Sequence, residues 1–149
     1  MKLEFIEEQK FTQWWLWIII VAVLSIPVYD FVFVDFTQAL KSSPVILLVI
    51  LFYIFKLKTR INEKGIRMSY LPYLGKFKNW TEIKFVKVID YGFVGGWGVR
   101  LWTKFGTVYN IRGSKGLVVE LNSGKAFIIG TQQEEELKTI LKSLGKISE

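Results

Sequence analysis

The chain has 149 residues, a net charge of +7 from 20 basic and 13 acidic side chains, and 51% hydrophobic residues. That length suits one domain of ordinary size with a small attachment, and so apolar a composition beside so many charges means that the hydrophobic residues are concentrated in places. Cysteine and histidine are both absent, which excludes disulfides, thiolate nucleophiles, cysteine or histidine zinc sites, histidine-ligated haem and every dyad or triad that uses imidazole.

Residues 1–13 open with the acidic stretch MKLEFIEEQK and read as an N-terminal cytoplasmic segment. From Trp14 to Val34 the sole charge is Asp30, over a length that matches the roughly 20 residues a helix needs to cross the hydrocarbon. Trp14, Trp15 and Trp17 crowd its start, where amphipathic rings favour the membrane–water interface, and are the expected anchors. A cleaved signal peptide fits less well, because the start is acidic and no small-x-small site follows the apolar run.

A second apolar run extends from Pro44 to Phe55, with Ser43 as the expected N-cap and Pro44 at the first helical position. By itself it covers only roughly 18 Å of a ~30 Å core. Leu40 to Ser43 and Lys56 to Leu57 would have to complete the span, with Lys41 and Lys56 snorkelling outward; a re-entrant segment is the alternative. Residues 14–58 thus read as a two-helix transmembrane hairpin. Lys56, Lys58, Arg60, Lys64 and Arg67 follow it against Glu63 alone, so the charge bias puts both termini in the cytoplasm. If the second run does not cross, the N-terminus lies outside instead. Asp30 and Asp35 fall at the far end of the first span and read as interfacial residues in reach of water.

Residues 59–149 change to short β-branched and aromatic segments punctuated by glycine, asparagine and lysine, the pattern of strands. Expected strands are Gly65 to Leu71, Phe77 to Asn79, Ile83 to Tyr91, Trp97 to Thr103, Thr107 to Arg112, Leu117 to Leu121 and Ala126 to Ile129, with a turn at Asn122 to Gly124. Thr131 and Glu134 have capping-box spacing, and Leu137, Ile140, Leu141, Leu144 and Ile147 recur at helical spacing. The expected fold is therefore a membrane α-helical hairpin followed by a mainly β domain. About seven strands would form a partly open barrel or sandwich, capped by a C-terminal amphipathic helix.

The glycine-rich stretch GFVGGWGVRLWTK, Gly92 to Lys104, has neither the strand–helix setting of a dinucleotide fingerprint nor the Gly-Lys-Ser/Thr end of a Walker loop. It reads as strand architecture with bulges, Trp97 or Trp102 filling the space that a glycine leaves. Lys41 beside Ser42 and Ser43 does not make a catalytic dyad, since adjacent helical residues do not face each other. No spaced carboxylate pair suggests acid–base catalysis. Hence no catalytic, cofactor-binding or metal-ligating residue is expected.

The wording of the chain adds to this outline. The segments EKGI (Glu63 to Ile66), WTEI (Trp80 to Ile83), GGWGVR (Gly95 to Arg100), YNIRGSKGLVVEL (Tyr109 to Leu121), IIGTQQEEEL (Ile128 to Leu137) and the opening EEQKFTQWWLW resemble the bacterial pleckstrin-homology-like (PH-like) domains of small two-span membrane proteins. The resemblance implies a PH-like fold and a binding module rather than an enzyme. The clustered lysine and arginine pattern of phosphoinositide binding is missing from the first hairpin, although Lys76 and Lys78 lie nearby.

Between Lys56 and Lys115 thirteen basic residues face three acidic ones. Beside an anionic leaflet such a domain is drawn to the surface. The expected function is a membrane-anchored, non-enzymatic module on the cytoplasmic face that engages anionic lipid or a protein partner, with Lys56, Lys58, Arg60, Lys76 and Lys78 as the lipid contacts. The alternative is a structural or assembly subunit, which includes self-association. Nucleic acid is not an expected partner, because the aromatic residues sit in strands or at the membrane rather than on a basic groove.

Overall fold

The computed structural model describes residues 3–71 and 74–147. The chain forms two compact units. One is Phe11–Phe55; the other joins the residues up to Lys10 with those from Lys56 onward.

The Phe11–Phe55 unit is helical. Helix α1, Trp14–Tyr29, continues through a π-helical turn at Asp30–Val34; helix α2, Phe36–Ser42, leads into helix α3, Pro44–Ile54. Two stretches, Trp14–Val34 and Phe36–Ile54, are long and apolar enough to cross a membrane. The second therefore reaches back to Phe36 and, at 19 residues, covers about 28 Å. Its length comes from α2, and not from Lys56 and Leu57, which belong to a strand. The added turn is held by side chains: Gln38 N–H donates to Asp35 Oδ1 at 2.8 Å, making Asp35 the N-cap of α2, and the Ser42 hydroxyl donates to Asp30 Oδ2 at 2.9 Å. Ser43 is no N-cap. Its backbone is already helical, and its hydroxyl donates to Leu40 O at 2.7 Å. Leu47, Ile18 and Val21 are well exposed, as befits helices that are apolar all round.

The β unit contains two sheets. In the first, β1 (Phe5–Lys10), β2 (Lys56–Asn62), β3 (Gly65–Leu71) and β4 (Leu74–Asn79) form an antiparallel meander in sequence order. The second contains β5 (Ile83–Asp90), β6 (Gly98–Thr103), β7 (Gly106–Asn110), β8 (Lys115–Leu121) and β9 (Ala126–Gly130) in the order β5-β8-β9-β7-β6. The β7–β9 pair is parallel and its other pairs are antiparallel. Neither sheet closes into a barrel. Helix α4, Glu134–Ser143, buries Leu137 and Leu141, and Phe5, Leu57, Ile61, Ile66, Val108, Leu117 and Ile128 are almost wholly buried with them.

The nine strands among the described residues exceed the seven expected from the sequence. Both additions flank the helical unit. Residues 1–13 contribute β1, whose inward positions are Phe5, Glu7 and Gln9, so two polar residues conceal the alternation. In β2, Leu57, Thr59 and Ile61 alternate inward between cations, a pattern that also fits the basic flank of a membrane span.

Three local expectations are corrected. Thr131 does not form a capping box with Glu134: its hydroxyl accepts from Gln133 N–H at 3.0 Å and donates to Glu7 Oε2 at 2.7 Å, while Glu134 pairs with Lys115 and Lys138. The strand expected from Trp97 starts at Gly98. Trp102 fills no gap, being 94% exposed, whereas Trp97 is 39% exposed. The four glycines in this stretch adopt positive φ; at Gly96 a φ of +127° disfavours any side chain, and a Cβ there would also oblige the Arg100 guanidinium to move.

Candidate anion-binding surface

Two-residue alternation sorts the cations of the first sheet onto its two faces. With Leu57, Thr59 and Ile61 turned into the core, Lys56, Lys58 and Arg60 lie on the outer face. Register then adds neighbours. Lys10 stands opposite Lys56, Glu8 opposite Lys58, and Arg67 opposite Arg60.

Five cations, Lys10, Lys56, Lys58, Arg60 and Arg67, thus share one face with two carboxylates, Glu4 and Glu8. Lys56 and Lys10 approach Glu8 at 3.3 and 3.4 Å, and Arg60 approaches Glu4 at 3.4 Å. Desolvation is the largest single influence on the Glu8 carboxyl and raises its pKa, but hydrogen bonds and charge from Lys56 and Lys10 together outweigh it and hold the group below its usual range. Arg67 lies over the Phe77 ring at 5.3 Å, which draws it aside from Arg60. Lys58 has no ion pair among the described residues. Exposed pairs of this kind contribute little to stability, and the face keeps a positive excess.

Lys76 and Lys78 belong to the other face. They stand opposite Met68 and Ile66, both buried, but β4 is an edge strand and the lysine stems reach past its rim. There they line a groove of about 530 Å³ with Thr107, Tyr109, Lys125 and Phe127. Lys76 Nζ donates to Tyr109 Oη at 2.8 Å and sits 5.3 Å from the ring centroid. Lys78 Nζ lies 2.7 Å from Glu82. Among the described residues no ion pair engages Lys125. A second cleft, of about 450 Å³ and lined by Arg67, Ser69, Gly75, Lys76 and Phe77, brings Lys76 to the outer side as well.

The five lipid contacts expected from the sequence therefore divide three and two between opposite faces, and only Lys76 borders both. Sequence reasoning missed Lys10, Arg67 and Lys125. The signal for Lys10 was present in the inward–outward alternation of β1, whereas Lys125 reaches the groove only because the β8–β9 turn returns beside β4. Trp14, Trp15 and Trp17 occupy the first turn of α1 and are all exposed. No protein-family model matches the chain, and no curated protein matches it.

Proposed function

We propose that the chain is a membrane-anchored, non-enzymatic binding module of PH-like type, whose outer sheet face engages anionic lipid on the cytoplasmic side. One observation carries most of this reading: Lys10 and Lys56, the residues that bracket the helical segment, are direct partners in one sheet. Paired strands occupy one side of a bilayer, so the intervening segment crosses it an even number of times. Crossings by Trp14–Val34 and Phe36–Ile54 satisfy that condition. Lys10 lies four residues before Trp14, and Lys56 and Lys58 two and four after Ile54, so a chain reach of at most about 3.6 Å per residue keeps all three within roughly 15 Å of the ends of those stretches. Each basic residue near an anionic leaflet contributes about 1 kcal/mol, and the same excess of cations favours the cytoplasmic side. The PH-like assignment draws on the motifs quoted above, two sheets and a closing helix.

The test is the phospholipid that the full chain retains when purified from membranes in mild detergent. Wild type is expected to hold anionic over zwitterionic lipid, and glutamine at Lys10, Lys56, Lys58, Arg60 and Arg67 to abolish that preference. A preference lost instead on substituting Lys76 and Lys78 moves the contact to the groove. Equal retention by all variants, with a second protein or a second copy co-purifying, overturns the lipid reading in favour of an assembly role.

A further inference from the structure

The β unit carries a group of apolar side chains outside its core, in the loop between β5 and β6 and on β6 itself. Phe93 is 83% exposed, Trp102 94%, Leu101 53% and Val99 42%. Strand alternation accounts for Val99 and Leu101, which face outward. It would also turn Trp102 inward, on the side of Arg100. Instead the β6–β7 register shifts between Arg100 and Thr103, and Trp102 adopts a φ of 56°, the one positive value for a non-glycine residue among those described. Such a conformation is strained for a side chain of this size and tends to persist where it serves a function. Here it holds an indole in water.

Charge indicates what meets this surface. From Tyr91 to Val119 there is no carboxylate side chain, while Arg100 and Lys104 lie within the β6 segment and its turn. Strand addition by a second copy is disfavoured: β6 is an edge strand, but the irregularity at Trp102 breaks the row of backbone donors and acceptors that a new strand needs. Exposed aromatic residues beside cations, in a chain that also bears two membrane-length apolar helices, match the chemistry of the headgroup region, where tryptophan is favoured.

We propose that the β5–β6 loop and β6 form a second membrane contact, with Phe93 and Trp102 inserted at the lipid interface. This rests on the membrane-anchored reading above, but not on the basic face of the first sheet. Because the insertion is apolar, it does not need anionic headgroups.

The absence of cysteine allows a direct test on the full chain reconstituted in vesicles. Phe93→Cys carries a polarity-sensitive fluorophore, Ser143→Cys on α4 serves as the aqueous control, and the vesicles contain phosphatidylcholine alone or with phosphatidylglycerol, with or without brominated acyl chains. The label at 93 is expected to be blue-shifted and quenched by brominated lipid in both compositions, unlike the control, and Trp102→Ser is expected to return it toward water. An aqueous signal at 93, or shielding that brominated lipid does not quench, overturns the inference. Glutamine on the basic face should leave quenching at 93 unchanged. Anionic-lipid preference without quenching at 93 would sink this inference alone, whereas quenching without that preference would sink only the basic-face reading.

Discussion

The Glu7 carboxylate accepts the Thr131 hydroxyl at 2.7 Å and Gln132 N–H at 2.6 Å, joining β1 to the segment that leads into α4. Gln9 Nε2 donates to Gly130 O at 2.7 Å beside it. Burial pushes the Glu7 carboxyl above its ordinary 4.5, and the Thr131 and Gln132 hydrogen bonds only partly counter this. Between 4.5 and the raised value the folded chain binds more protons than the unfolded one, so this group's contribution to stability falls as pH rises through that window. Thermal unfolding of wild type and Glu7→Gln at a series of pH values should show wild type gaining relative to the variant on acidification. Glu7→Ala, which leaves the Thr131 and Gln132 donors unmatched, should cost about 1–3 kcal/mol.

Replacing the helical segment by a tight turn should leave a folded, soluble β unit. Lys10 and Lys56 are already opposed, so a short Gly-Asn linker between them makes an ordinary hairpin. A fragment starting at Arg60 loses all of β1 and the first half of β2, including Phe5 and Leu57, both wholly buried. Each such loss costs several kcal/mol in a core. Dispersed amide resonances are expected for the linked version and aggregation for the fragment; dispersed spectra from both would contradict the sheet assignment.

Gly96→Ala should destabilise more than Gly92→Ala. Both glycines have positive φ, +127° and +68°, yet only the second lies in the left-handed region that an alanine enters at about 1–2 kcal/mol. Gly92 has open space around its Cα, whereas a Cβ at Gly96 displaces the Arg100 guanidinium. Denaturant midpoints of the two variants measure the difference.

Tyr70 lies in the core with its hydroxyl donating to Asn110 O at 3.2 Å. Burial pushes its pKa up to about 12, although the Arg100 charge pulls the other way. The unfolded chain releases this proton near 10 and the folded chain does not, so stability declines as pH rises across that interval. Burial raises Tyr91 as well, so absorbance titration at alkaline pH should find more than one late-ionising tyrosine, and Tyr70→Phe should remove one of them.

How much of this was legible depends on the kind of signal. Runs such as Ile83 to Asp90 and Ala126 to Gly130 show strand chemistry directly, and Leu137 with Leu141 shows which side of α4 is covered. The β1–β2 pairing is different. Its partners are separated by the whole helical segment, and its inward Glu7 and Gln9 look like solvent residues until Thr131 and Gly130 supply their hydrogen bonds. Trp102 was misjudged for a related reason: alternation assigns a side chain to a face only while the register holds. The split of the five candidate lysines and arginines between two faces needs only period two, but it needs the strand boundaries first.

The pairing of Lys10 with Lys56 also sets an order of events during synthesis. Strand β1 leaves the ribosome first and has no partner until the entire apolar segment has followed it, so the first sheet cannot close before both helices have been disposed of. On the membrane-anchored reading proposed above, a chain in which only one of the two helices crosses leaves β1 and β2 on opposite sides of the membrane with Phe5 uncovered, a species fit for proteolysis. Completion of the β unit would then report that the two helices had crossed as a pair or not at all.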